Sequence, residues 1–301
     1  MKGLAKQLIT NLFKVFCVII ATYILISLVN FPGTKNSEDL ASAISDNSLS
    51  ALVTNSEIYK NDSLDIDATS VLASDLKTGN HIFRFNSEKK WPLASTTKLM
   101  TALIVSDLMK PNDLVTVTKE AILTEGASGN YSVQEVSTVS DLIKSMLLVS
   151  SNDAAEALSI NYGKDRFVKI MNSKAIDLGM TNTEFYDSSG VSAKNLGTAE
   201  DLEKLAKFIW YNRRDVLDIT RYIKGTVINK NTGESRELTN INLFAGRPEF
   251  LGGKTGTLPE IGGNLISFFD INGPKLIIIM GAQDKFKETE KAIQNIWFKK
   301  Q

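Results

Sequence analysis

The chain has one histidine and one cysteine in 301 residues, six prolines, and no excess charge of either sign, with 34 Lys and Arg against 34 Asp and Glu. Each scarcity excludes something. One cysteine cannot close an internal disulfide or build a cysteine-rich zinc site. One histidine cannot supply the histidine pairs that most catalytic zinc sites use, so no metal is expected. Charge balance leaves no bulk basic field, which argues against nucleic acid as a partner. What remains is ordinary for a globular fold, with 43% hydrophobic and 23% charged residues.

The long apolar runs are confined to the N-terminus. Val15–Val29 carries no charge, and extension to Phe31 brings it near the lower end of the ~17–25 residues that span a bilayer. Lys2, Lys6 and Lys14 precede it, whereas Lys35 is soon offset by Glu38 and Asp39. That asymmetry puts the N-terminus in the cytoplasm and the rest outside. We therefore expect a short cytoplasmic segment (1–14), a transmembrane signal anchor (15–31), a polar stalk (32–66) with a short helix near Leu40–Val53, and one catalytic domain (67–301). A cleaved signal peptide is the alternative. Asn30-Phe31-Pro32, rather than a small-residue cleavage site, follows the run, which favours the anchor. Cys17 lies inside the run and reads as a membrane-buried apolar residue.

From Asp67 onward the pattern is regular. Val71–Ala73 and His81–Phe85 flank Lys77-Thr78-Gly79-Asn80 and read as a hairpin. Helical spacing recurs at Leu99–Met109, Leu142–Val149, Ala154–Ile160, Phe167–Leu178 and Leu202–Trp210. Strand-like runs return at Phe250–Leu251, Leu265–Phe269 and Leu276–Met280, with a turn at Asn272-Gly273-Pro274. A final amphipathic helix fits Lys285–Phe298. Strands first and last, with helices between, predict one sheet built from both chain ends and an inserted helical lobe.

A serine triad could use only His81, which reads better as a strand-surface side chain. A serine activated by a desolvated lysine is the remaining route to a nucleophile, because burial lowers the lysine pKa and frees its lone pair. Serine and lysine three apart share a helix face. The spacing occurs at Ser74/Lys77, Ser87/Lys90 and Ser95/Lys98. The first spans a strand end and a turn, and the second lies in a polar loop. Ser95/Lys98 alone follows Pro92 and opens an apolar helix, which puts Ser95 at a helix N-terminus, where developing negative charge is favoured. By itself the pattern suits an N-cap serine and a surface lysine better. Two further elements change that. Lys254-Thr255-Gly256-Thr257 follows Gly252-Gly253 on an expected strand, where glycines permit close approach and the lysine and threonines can receive a carboxylate. Ser-x-Asn occurs at Ser45, Ser128, Ser150 and Ser159. We favour Ser150-Ser151-Asn152, between two apolar helices, with Ser128-Gly129-Asn130 the alternative.

Ser-x-x-Lys, Ser-x-Asn and Lys-Thr-Gly in this order are a set shared by β-lactamases and penicillin-binding proteins. Over about 70–290 the sequence resembles the low-molecular-mass penicillin-binding proteins, the serine D-alanyl-D-alanine carboxypeptidases. The resemblance includes LASDLKTGNHIFRFNSEKKWPLASTTKLMTAL, LLVSSNDAAEAL, GMTNTEFYDSSG, GTAEDLEKLAKF and GGKTGTLPEIGGNL. It implies an α/β (α+β) fold of β-lactamase/transpeptidase type, with an antiparallel sheet of about five strands flanked by helices. It also implies Ser95 as nucleophile on a D-Ala-D-Ala peptide bond, Lys98 as its base, and Ser150 as proton relay to the leaving nitrogen. Asn152 would bind the substrate amide. Lys254 would hold Ser150 and help keep Lys98 neutral. Thr255 and Thr257 would hold the carboxylate, and the backbone N–H groups of Ser95 and Thr257, beside Gly256, would form the oxyanion hole. Peptidoglycan stem peptides would be the substrates, β-lactams covalent inhibitors, and no cofactor or metal would be needed.

Two departures from the family pattern matter. Only 45 residues follow Gly256, with no room for the β-rich domain and C-terminal anchor that familiar carboxypeptidases carry. Endopeptidases of the family also lack that domain, so cleavage of peptide cross-links is the nearest alternative. The central motif reads Ser-Ser-Asn where Ser-Gly-Asn is usual, which bears on loop flexibility. A class A-like β-lactamase would need a Glu-x-x-Leu-Asn loop, and none lies between Ser150 and Lys254. A β-lactam sensor would need more cytoplasmic chain than 1–14 provides.

Overall fold

The computed structural model describes residues 65–295. The anchor at 15–31, the stalk helix near 40–53 and the last residues of the expected closing helix lie outside them. Among the described residues, no helix is long and apolar enough to cross a membrane.

In chain order the strands are β1 (Ser70–Asp75), β2 (His81–Phe85), β3 (Trp91–Pro92), β4 (Leu114–Thr116), β5 (Val136–Thr138), β6 (Leu196–Gly197), β7 (Lys224–Ile228), β8 (Ser235–Thr239), β9 (Phe250–Leu258), β10 (Gly262–Asp270) and β11 (Pro274–Ala282). The helices are α1 (Lys98–Leu108), α2 (Lys119–Ile122), α3 (Val139–Leu148), α4 (Asn152–Tyr162), α5 (Lys164–Asp177), α6 (Ala199–Asn212), α7 (Arg214–Ile219) and α8 (Lys285–Ile293).

The main sheet has five antiparallel strands in the order β2-β1-β11-β10-β9. Both chain ends build it, as expected. Alternation of side chains across β11 explains its unbroken apolar run. Leu276, Ile278 and Met280 face the larger core, with Leu72, Ile266, Phe268 and the helices. Ile277 and Ile279 face a second core with Val71, Leu265 and Phe269, beneath α8. A strand covered on both sides needs apolar residues at every position. The second core is largely aromatic: Phe244 packs edge-on to Phe269 and Phe286 at centroid distances of 5.1 and 5.4 Å.

The hairpin turn at Lys77-Thr78-Gly79 is exposed, with Asp75 Oδ1 accepting from the N–H groups of Lys77 and Thr78. This disposes of the first Lys-Thr-Gly and of Ser74/Lys77. In the helical lobe, α1 is the central element, and every residue from Lys98 to Val105 is buried. A helix apolar on all sides belongs inside a core. Neighbouring helices begin with side-chain caps: Thr138 accepts from Asp141 N on α3, and Thr198 from Asp201 N on α6.

The expectation missed three small two-stranded pieces, β3–β6, β4–β5 and β7–β8. β7 and β8 alternate a single buried side chain with exposed ones. Their buried Val227 and Leu238 pack on Leu148 of α3 in a cluster of only three buried residues, so little hydrophobic pattern marks them.

Candidate active site

Three elements converge where β9, an edge of the sheet, meets the start of α1. The first is a 3-10 turn, Ala94–Thr97, that precedes α1. Ser95 therefore lies in this turn and not at the α-helical N-terminus expected from sequence. The reason is local: Ala94 has φ +49°, and Thr96 bonds Leu93 O through both its N–H and its hydroxyl. Backbone in the left-handed region costs of order 1–3 kcal/mol for a residue with a Cβ. Surrounding bonds hold it there, since Asn264 donates to Pro92 O and Leu93 O at 2.8 and 3.0 Å. Thr97, not Ser95, occupies the α1 N-cap position, without a side-chain cap bond. Ser95 is thus not spent on capping.

Lys98 is fully buried, one turn on. Its Nζ lies 2.8 Å from Ser95 Oγ, 2.6 Å from Asn152 Oδ1 and 2.6 Å from Ser189 O. Asn152 Nδ2 donates to Glu125 O, which fixes Oδ1 toward the lysine. Two of the three partners can only accept. A neutral amine has two N–H bonds for them and one lone pair, and that lone pair is left facing the Ser95 hydroxyl. Burial pulls the Lys98 pKa down to about 7, against the opposing pull of Asp187, Asp153 and Glu156.

The second element is the loop into α4. Ser150 has φ +60°, and Asn152 is the first residue of α4. The unusual middle residue, Ser151, is the N-cap: its Oγ accepts from Ala154 N at 2.9 Å and donates to Asp153. A serine here therefore stiffens the loop where glycine would leave it freer. Asp153 also accepts from Ser128 Oγ and Gly129 N, which makes the alternative Ser128-Gly129-Asn130 a strut under this loop. Asn130 is exposed. We expect Asn152→Ala to slow penicillin acylation by about 100-fold or more, the usual scale for a lost active-site hydrogen-bonding group. Asn130→Ala will leave it within about threefold, because surface changes away from such features are small. Rates of labelling by a fluorescent penicillin separate the two.

The third element is β9. Lys254, 1% exposed, donates to Ser150 Oγ at 2.9 Å and to Thr255 O at 2.8 Å. Its pKa lies well below the usual lysine range, through burial first and then the nearby charges of Lys98 and Lys285. At Lys98 itself burial is what lowers the pKa, and the expected help from Lys254 does not figure among the causes. Gly256 is needed for space: a Cβ would lie 3.0 Å from Ser95 N and 3.1 Å from Leu93 O. Thr257 Oγ1 bonds Gly256 O and accepts from Lys285 Nζ at 3.0 Å. Ser95, Ser150, Asn152, Thr255, Gly256 and Thr257 line one cleft of about 240 Å³, and Lys98 and Lys254 bond into it from below. All eight residues expected from sequence are together.

Other contributors escaped the sequence reading. The loop 187–192 passes beneath the serine turn. Asp187 gathers it by accepting from the N–H groups of Ser189, Gly190 and Ser192, and so aims Ser189 O at Lys98. Lys285 lines the cleft from the start of α8. His81 lies on β2 with Nε2 2.8 Å from Glu203 Oε2 and plays no part in the cleft. Among the described residues, no group of three or more His, Cys, Asp or Glu is arranged to hold a metal ion.

Fold and site define a serine–lysine centre of the penicillin-recognising type, an antiparallel sheet carrying Lys-Thr-Gly against a helical lobe carrying the other two motifs. Residues 55–284 match the family described as D-alanyl-D-alanine carboxypeptidase, and the chain belongs to that family. Among curated proteins it is 30% identical over 250 residues to the D-alanyl-D-alanine carboxypeptidase DacC of Escherichia coli K12, covering 76% of this chain and 60% of the relative. It is 35% identical over 188 residues to a D-alanyl-D-alanine endopeptidase of Haemophilus influenzae, covering 60% and 63%. An endopeptidase of Pseudomonas aeruginosa is 39% identical over 140 residues, 45% of each chain. The matches thus span between about half and two thirds of these relatives' lengths. A D-alanyl-D-alanine carboxypeptidase of Mycobacterium tuberculosis superposes with a TM-score of 0.73 at 24% identity, covering 81% of this chain and 96% of that one, a likeness of fold.

Proposed function

We propose that the domain is a serine D-alanyl-D-alanine carboxypeptidase that removes the terminal D-Ala from peptidoglycan stem peptides. One observation carries the reading: the buried Lys98 amine lies 2.8 Å from Ser95 Oγ and also bonds two acceptor-only partners, so that in its neutral form the lone pair faces Ser95. Ser95 Oγ attacks the carbonyl carbon of the penultimate D-Ala as Lys98 takes its proton. The oxyanion falls to the N–H groups of Ser95 and Thr257. Collapse breaks the C–N bond, Ser150 passes its proton to the leaving nitrogen and takes the replacement from protonated Lys98, which is thereby a neutral amine again, and D-Ala departs. Lys254, bonded to Ser150 Oγ, holds that hydroxyl in place. Water then attacks the ester, with Lys98 again the base, and Ser95 recovers its proton. Thr255 and Thr257 hold the substrate carboxylate. A β-lactam would enter the same path and remain as the acyl-enzyme.

A second reading has specific support. Two relatives quoted above are named endopeptidases, and a cross-link presents the same peptide bond at an internal position. The division into a cytoplasmic segment, a membrane anchor at 15–31, a stalk and the domain from 67 is also a proposal. It rests on the apolar run and its flanking lysines. It puts the catalytic domain outside the cytoplasmic membrane, where its substrate lies.

The test is release of free D-alanine by the full chain from a muramyl-type pentapeptide ending in D-Ala-D-Ala. Wild type will release it and Ser95→Ala will not. Release by Ser95→Ala would sink the assignment. Intact pentapeptide with cleaved cross-linked dimer would move the activity to the endopeptidase.

A further inference from the structure

Residues three or four apart share a helix face, so α1 presents Thr101 beside Lys98, and α4 presents Glu156 beside Asn152. Asn152 bonds Lys98, and the other three bond the segment Ser188–Ser189. Lys98 Nζ reaches Ser189 O at 2.6 Å. Thr101 Oγ1 donates to Ser188 O at 2.5 Å. Ser188 Oγ donates to Glu156 Oε1 at 2.9 Å. One residue, Ser188, thus pegs the loop that offers Ser189 O to both helices of the site. Glu156 is 2% exposed, a carboxylate inside the helical lobe, where burial is costly without a counter-charge. The counter-charge is the exposed Lys164 of α5, whose Nζ lies 3.0 Å from Oε2. A buried ion pair is weak grounds for stability, and the proton transfers described above make no use of this one.

Resting on the assignment of Lys98 as base, we infer that Glu156 is a positioning residue for acylation: through Ser188 it fixes the Ser189 carbonyl against the Lys98 amine, and so keeps the lone pair of the neutral amine turned to Ser95. Asp187 gathers the far side of the loop through the N–H groups of Ser189, Gly190 and Ser192. The Ser188 hydroxyl and carbonyl are held by Glu156 and Thr101. Without the first of these bonds the Ser189 carbonyl is free to drift. An N–H of the amine then loses its acceptor, and the direction of the lone pair is no longer set. The charge of Glu156 acts on the same base. Lys98 is faced by Asp153 and Glu156 from α4, by Asp187 from the loop and by Lys254 from β9. Glu156 is faced in turn by Lys164, which Glu120 of α2 approaches at 3.5 Å. An anion near an amine favours its protonated form, so Glu156 pulls the Lys98 pKa upward against burial.

The experiment follows the rate of acylation of the full chain by a fluorescent penicillin against pH, in wild type, Glu156→Gln, Glu156→Leu and Ser188→Ala. Glutamine keeps an acceptor for the Ser188 hydroxyl and removes the charge. Its plateau rate at high pH will stay within about fivefold of wild type, the difference between a charged and a neutral hydrogen bond. Its midpoint will fall below the wild-type value of about 7, because the amine has lost an anion that favoured its proton. Leucine keeps neither acceptor nor charge, and Ser188→Ala removes the other end of the bond. Each will lower the plateau by about 10- to 100-fold, the scale of a hydrogen bond to a charged group. Glu156→Leu and Ser188→Ala combined will lose no more than either alone, since they break one bond. A role in stability alone would lower the melting temperature of all three variants and leave midpoint and plateau unmoved, which would overturn the inference. Glutamine as slow as leucine would overturn it too. Should Glu156→Leu fail to fold, a wild-type plateau in Ser188→Ala refutes the role by itself. The base is tested apart in the same assay. Normal labelling of Lys98→Met removes the base, and the role of Glu156 with it. With Lys98→Met inactive and the Glu156 and Ser188 variants at the wild-type rate, only the role of Glu156 falls.

Discussion

Replacing Lys98 by methionine will slow acylation of Ser95 by about 10³- to 10⁴-fold, the upper range for a lost general base. Among the described residues no other base hydrogen-bonds the Ser95 hydroxyl, and Asp187, Asp153 and Glu156 are committed to the loops and helices around it. The wild-type pH profile follows from the same group. With a pKa of about 7, the amine is protonated and useless as a base below that value and free above it. The rate of acylation will therefore climb through pH 7 and level off. A flat profile, or normal labelling of Lys98→Met by a fluorescent penicillin, would require another base. Stability will move in the same direction as activity. The unfolded chain holds the Lys98 proton up to its ordinary pKa of 10.5, whereas the folded protein gives it up near 7. Between those values the unfolded state binds more protons, so the lysine's contribution to stability rises with pH and is least favourable below pH 7. The stability of wild type relative to Lys98→Met, followed by urea unfolding, will accordingly improve from pH 7 to 10.

Gly190→Ala will damage fold and activity together, although the residue touches no substrate. The new Cβ would lie 1.9 Å from Ala94 O and 2.4 Å from its carbonyl carbon, at a φ of +81°. Backbone strain of about 1–2 kcal/mol and a steric cost of about 1–3 kcal/mol add. The melting temperature should fall by roughly 2–4 °C for each kcal/mol lost in a domain of this size. A matched control separates the two contributions. Gly179, φ +73°, has nothing within 4 Å of a built Cβ, so Gly179→Ala carries the backbone cost alone. Gly190→Ala will therefore melt lower than Gly179→Ala. It will also acylate more slowly, because the loop that aims Ser189 O at Lys98 must shift away from the serine turn. Equal melting points and equal labelling rates for the two variants would show that the turn yields freely.

What the sequence made legible is what short-range pattern encodes. The apolar runs of β10 and β11, the spacing of α1, α3, α4 and α6, and the three motifs could be read because each is local. The choice of Ser150 over Ser128 was legible too, since a tight loop between two apolar helices has few ways to aim its side chains. Three things were not legible. The 3-10 turn at Ser95 depends on bonds from Asn264, far along the chain. Ser189 contributes a backbone carbonyl, which carries no residue preference. Lys285 reads as the first residue of an amphipathic helix, and only the fold brings it to Thr257.

The position of β11 has a consequence for how the domain comes into being. Of the described strands, the last to be synthesised is the middle one of the sheet, paired on one side with β1 and on the other with β10. The ion pair that closes this seam, Lys275 with Asp75, joins residues 200 positions apart. Until β11 emerges, β1–β2 and β9–β10 are separate hairpins, and a lone hairpin is marginal in water. Both cores wait for the same strand, and so does the meeting of β9 with the serine turn. The domain thus stays unassembled, and Lys98 solvated and protonated, until β11 has been delivered.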